Sequence, residues 1–401
     1  MALVIPGIDT IIMTIVKPLI MSRAKIFARA IYAKLKGRAD ENALADELVN
    51  AIETNQVDSF IEKYQKSIPR DVIEKIRALA SMRELFNKAS KIITAQKYSQ
   101  DAANVFIDLA KILDDVMIGI SFEEAGIKDV TVQDAETNDQ IHVASEDYMV
   151  ALLFRYAAAV WTQLAATATP MARGWTLEYD AKMEVKLGRP TLDMKKAAAP
   201  SMAAPERAQK DEESSMGATT SGLLEFREAY ENLMPLYRSG LAIRDQYLNA
   251  VSCLKTTLVK VKGIKRGRQE RMHKFMDPKH LEGLILAFRG EAQYWQFRMS
   301  DDLAQSASTV KRFFEEDSKQ VKEWLNFMDI PKEGFKEFLD ALTLYRNFPE
   351  GLAGALKLYR EGAERCIPGK DRETIDGRIN DLQGVSSNKP AVFVPDPRPI
   401  A

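Results

Sequence analysis

Apolar residues recur at three- and four-residue spacing along most of this 401-residue chain, the period of helices with one face turned inward. Ile20, Ala24, Phe27, Ile31 and Leu35 predict an amphipathic helix that Gly37 closes. Asp40 to Glu53 follows, with Leu44, Leu48, Val49 and Ile52 inward, and then Val57 to Gln65. Pro69 occupies a first-turn position for Arg70 to Thr94, whose inward residues are Val72, Ile76, Leu79, Leu85 and Ile92. Ser99 or Asp101 caps the next helix, which turns Val105, Leu109, Ile112 and Met117 inward. Short helices with short links are the pattern of a compact helical lobe.

The period then changes. Val130 to Val143 sets β-branched residues on either side of a polar Thr-Asn-Asp turn and predicts a small hairpin. Ser145 caps Tyr148 to Leu164, which is apolar nearly all round and so belongs at the centre of a lobe. Arg155 lies inside it and requires an acid or a phosphate. Trp175 to Leu187 alternates with period two and predicts a strand able to pair with the hairpin. Lys195 to Gly222 is Ala, Pro, Ser and charge, and predicts a mobile linker or loop.

Helical spacing resumes from Leu223 to Leu258, with Leu233, Leu236, Leu241, Ile243, Tyr247 and Val251 inward. Asp277-Pro278 starts another helix, carrying Leu281, Leu284, Ile285 and Phe288. Tyr294, Trp295, Phe297 and Arg298 form an aromatic cluster, which packs as core or stacks on bases. Gly351 and Gly354 allow a neighbour close to the helix from Leu352 to Ala363.

The chain ends differ from its body. Leu3 to Met21 is apolar but interrupted by Asp9, Lys17 and Pro18, which predicts a buried or partner-docked arm; a membrane-inserting segment is the sharper alternative. It lacks the basic n-region and small-residue cleavage site of a signal peptide. Four prolines from Pro390 to Pro399 keep the tail extended around the apolar Val392, Phe393 and Val394, which either docks on another subunit or stays disordered. The expected fold is therefore mainly α. Residues 1–22 form an extended apolar arm, 23–194 one helical lobe with a small β-hairpin or sheet element, and 195–222 the linker or loop. Residues 223–383 form a second helical lobe and 384–401 an extended tail.

Charge singles out one stretch. The net charge is -1, so bulk charge selects no partner. Yet Lys255, Lys260, Lys262, Lys265, Arg266, Arg268, Arg271 and Lys274 stand against a single acid, Glu270. Gly263 and Gly267 interrupt helix there and let backbone amides help to hold an anion. From Lys17 to Arg38 all charges are positive as well. Such cations bind phosphate with strong salt dependence and no sequence preference, unless they form only a solvated loop.

Catalytic signatures are not found. GIKRGR lacks the GK[ST] ending of a phosphate-binding loop, and neither GxSxG nor HExxH occurs. His273, Asp277 and His280 have ligand-like spacing, but Pro278 interrupts it. Cys253 and Cys366 are far apart, which fits a reducing, cytoplasmic setting. No cofactor, metal or small-molecule substrate is implied, and no enzyme activity is expected, although a helical enzyme whose site uses scattered acids and arginines stays open.

Two helical lobes, a basic seam and terminal arms resemble, in layout across the chain, the nucleoproteins of negative-strand RNA viruses. That resemblance carries over no single residue. It implies a homo-oligomer joined through its arms, coating single-stranded RNA in the cytoplasm or in a virion. The seam and Arg155 would then contact the strand. The alternative is a helical scaffold that docks on a membrane or partner through its basic N-terminal helix.

Overall fold

The structure, a computed structural model, describes residues 8–35, 40–95, 98–117, 130–133, 140–143, 145–187, 211–264, 274–316, 336–337, 340 and 348–387. It is mainly helical. Its α-helices, among the described residues, are α1 (Ile8–Leu35), α2 (Glu41–Glu53), α3 (Val57–Tyr64), α4 (Arg70–Ala95), α5 (Gln100–Met117), α6 (Glu146–Leu187), α7 (Asp211–Gly263), α8 (Pro278–Glu316), α9 (Phe348–Arg365) and α10 (Lys370–Ser387). A 3-10 turn, Lys274–Met276, precedes α8.

The chain forms two compact units whose segments interleave along the sequence. The first comprises Met1–Leu164, Gln246–Arg289 and Tyr359–Arg378. In it α1 packs on α2 and α4, and α4 packs on α5. Helix starts are set locally. The Asp40 carboxylate accepts from Asn42 N at 2.8 Å, Ser99 Oγ from Ala102 N at 3.1 Å, and Ser145 Oγ from Tyr148 N at 3.2 Å. Each satisfies an amide that the helix itself leaves unpaired.

The centre of this unit is the start of α6, where every residue from Tyr148 to Thr162 is buried. Phe106 of α5 meets Tyr156 edge-on at 4.4 Å, and Thr257 Oγ1 of α7 donates to the Ala151 carbonyl at 3.3 Å. Asp147–Ala168 is long and apolar enough to cross a membrane, but most of it is covered by protein, as befits a core helix. Helices α8 and α9 touch through backbone. A methyl at Gly283 would stand 2.7 Å from the Gly362 carbonyl oxygen and 2.9 Å from Cys366 N.

The second unit comprises Ala165–Asp245, Gly290–Leu358 and Ile379–Ala401. Tyr237, Tyr294, Trp295, Leu352 and Leu356 are buried there. Gly351 lies under the Phe297 ring and Gly354 under the Gln293 side chain, and a Cβ at either would overlap its neighbour. The close approach inferred from this glycine pair is thus present. Arg238 grips Glu337 with two hydrogen bonds, 2.9 and 2.8 Å.

Several expectations are corrected. Trp175–Leu187 is helix, the continuation of α6. Its Ala, Lys, Met, Glu and Leu are strong helix formers, and extending an existing helix needs no new nucleus. The sheet expected on the helical body is therefore not supported. Two four-residue strands, β1 (Val130–Gln133) and β2 (Gln140–Val143), form an antiparallel ladder, with Val130 opposite Val143, and the turn at 134–139 lies outside the described residues.

The N-terminal arm is also helix from Ile8 onward, running through Pro18, because Leu19, Ile20, Ala24 and Phe27 are buried as one face. Residues 211–222 of the expected linker begin α7; 195–210 lie outside the described residues. Gly384–Ser387 of the expected tail end α10, and 388–401 lie outside the described residues. In α4 and α5 the inward face runs through Met82, Phe86, Phe106 and Leu113, while Leu85, Ile92, Val105 and Ile112 are only half-buried.

Candidate nucleic-acid interface

The basic stretch is divided by the fold. Helix α7 continues to Gly263, so Lys255, Lys260 and Lys262 are helical. Lys255 is exposed and pairs with no acid among the described residues. Lys260 is only 23% exposed and sits between two carboxylates, Asp114 of α5 at 2.5 Å and Asp147 of α6 at 3.6 Å. Burial alone would lower its pKa; the hydrogen bond to Asp114 and the charges of both acids outweigh it and hold the ammonium above its ordinary value. Lys260 is thus a structural tie.

Lys262 is different. It donates to Glu282 Oε1 at 2.7 Å, and Arg365 approaches Glu282 Oε2 at 3.4 Å. Lysine, glutamate and arginine are 54%, 32% and 46% exposed. They come from the last turn of α7, the start of α8 and the end of α9. Lys265, Arg266, Arg268 and Arg271 lie outside the described residues, and Lys274 is exposed where the chain re-enters the 3-10 turn.

Arg155 is buried. It is 1% exposed in the core helix, and its Nη2 lies 4.0 Å from Asp371 Oδ2 in the first turn of α10. Its guanidinium also sits over the Phe275 ring at 6.0 Å, while Nε and Nη1 are buried without a hydrogen-bond acceptor. Burial brings its pKa down to about 10, less than burial alone would, because Asp371 and then Cys366 raise it. It remains a cation at neutral pH, and its counterion is an acid, as one of the two sequence alternatives required.

Asp371 is shared. His280 Nε2 lies 3.1 Å from the same carboxylate oxygen, and His280 Nδ1 accepts from Ile367 N at 3.3 Å. Because Nδ1 accepts, Nε2 carries the proton and donates to Asp371. Burial would raise the Asp371 pKa; the His280 hydrogen bond and the Arg155 charge together hold it below the ordinary carboxyl value. His280 is thereby committed to Asp371 and the Ile367 amide. Asp277 instead caps α8, accepting from Lys279 N at 2.8 Å and His280 N at 3.0 Å, and His273 lies outside the described residues. No cluster able to hold a metal occurs among the described residues.

Tyr294 and Trp295, candidate stacking residues, are 1% and 2% exposed and meet each other edge-on at 5.7 Å. They are core, and no base can reach them. On α1, Lys25, Arg29 and Lys34 are exposed, and Arg29 pairs with Glu41 at 2.9 Å. From Leu19 onward the apolar face of that helix is turned inward, with Leu19, Ile20, Ala24, Phe27 and Ile31 buried. Glu282, Arg365 and Asp371 were not singled out by sequence, because packing brings their partners over from other helices: Glu282 meets Lys262 from 20 residues away and Arg365 from 83. The chain matches no family model, no curated protein and no solved structure.

Proposed function

We propose that the protein binds single-stranded RNA through the basic segment from Lys265 to Lys274 and assembles with copies of itself along the strand, as a nucleocapsid protein does. One observation supports this reading. Lys260 ties the end of α7 to acids of α5 and α6, and Lys262, two residues on, is exposed. The five cations that follow in the sequence, Lys265, Arg266, Arg268, Arg271 and Lys274, have a single acid, Glu270, among them. Lys260 and Arg155 serve the fold in this reading, and the strand is held by the remaining cations through its phosphates.

The test is binding to a labelled oligouridylate across a salt series. Neutralising about four phosphates of a single strand gives a slope of log affinity against log salt of about −3. Replacing Lys265, Arg266, Arg268 and Arg271 with Ala is expected to flatten that slope and weaken binding at least tenfold. Unchanged affinity and slope would reject the interface. Removing residues 384–401 is expected to reduce oligomer size while leaving the helical signal intact; an unaltered elution profile rejects the tail as the joining arm.

A further inference from the structure

We propose that Glu282 is a built-in stand-in for an RNA phosphate, and that Lys262 and Arg365 release it and close on the strand when RNA binds. This rests on the RNA-binding reading above and adds to it a residue from α9, far from the basic segment in sequence. Three observations carry it. Two cations from different helices converge on the two oxygens of one carboxylate, at 2.7 and 3.4 Å. That arrangement is what a phosphate with two free oxygens also satisfies. All three side chains are between 32% and 54% exposed, so the pairs exchange readily with a competing anion. Lys262 lies three residues before Lys265, so this group adjoins the basic segment along the chain.

Lys260 shows the contrast. Its carboxylates, Asp114 and Asp147, hold it in a half-buried position where no strand can replace them. Glu282 instead keeps Lys262 and Arg365 oriented while the protein is free, and it lowers affinity by competing for them. Phosphate binding then breaks two surface pairs and forms two charge-assisted contacts in their place.

The experiment is oligouridylate binding by the full chain, with Glu282→Gln measured alone and in a Lys262→Ala, Arg365→Ala background. Glu282→Gln is expected to raise affinity about two- to fivefold, the scale of an exposed ion pair. In the background lacking both cations, the gain is expected to vanish. Glu373→Gln, an exposed acid on α10, controls for a general change of charge and is expected to alter affinity by less than its Glu282 counterpart. A Glu282→Gln gain that persists without Lys262 and Arg365, or no gain at all, overturns the stand-in role. If that happens while the Lys265 to Arg271 alanine variant still binds weakly, the RNA-binding reading survives alone. If the unaltered protein binds no oligouridylate, both fall. A melting curve for each variant confirms that it is folded.

Discussion

Two groups in the first unit each set two nitrogen-bearing side chains on one carboxylate, and they differ in burial. One joins Arg155 of α6, Asp371 of α10 and His280 of α8; the other joins Lys262 of α7, Glu282 of α8 and Arg365 of α9. Arg155 is 1% exposed and Lys262 is 54% exposed. In the interior, a charge without its partner has no water to turn to, so the pair is fixed once the fold has formed. At the surface, water, salt or a phosphate can take the partner's place at little cost. Burial, rather than residue type, separates a cation locked to its partner from one that can exchange it.

That contrast can be broken most forcefully at Asp371. Asp371→Ala strands the Arg155 charge and frees His280, and is expected to lower unfolding stability by about 3–5 kcal/mol in a urea titration. Arg155→Met removes the charge together with its carrier and should cost less, since Asp371 keeps His280 and partial contact with water; the reverse order would contradict the counterion assignment. Next in size is the backbone crossing of α8 and α9. Gly362→Ala drives a methyl toward the Gly283 carbonyl at 2.7 Å, and a loss of about 1–3 kcal/mol is expected from such overpacking.

Acid sharpens the comparison further. The Asp371 pKa is held below its ordinary value of 3.8, so its contribution is complete above that value and is lost as pH falls through the lower, folded one. Stability measured from pH 5 down to pH 2 should therefore fall less steeply in Asp371→Asn than in the unaltered chain. The smallest effect belongs to the surface group, where Glu282→Gln should change stability by less than about 1 kcal/mol. A larger loss would make Glu282 a structural residue like Asp371 and remove the distinction.

What the sequence revealed was mostly local. The caps at Asp40, Ser99, Ser145 and Asp277 are legible because each side chain reaches an amide two or three residues on. The core helix from Tyr148 was legible because nothing but Arg155 interrupts its apolar run. Trp175–Leu187 misled because alternation over a dozen residues also fits a helix extended from a stable start. The basic stretch was legible as charge but not as structure. Nothing near Lys260 or Lys262 announces that Asp114 or Glu282 will meet it, since those acids are brought over by packing. The same holds for Arg155: the need for an acid could be read from the chain, but not which acid.

The two thiols open a practical route to watching this protein at work. Burial pushes both Cys253 and Cys366 up to about 12, so the reactive thiolate is on the order of 10⁻⁵ of either at neutral pH. Maleimide dyes will pass them by. A Val259→Cys variant, at a position 70% open to solvent on α7, would take a fluorophore selectively without removing either native cysteine. The probe would sit one residue from Lys260 and three from Lys262, placed to test the proposed RNA contact.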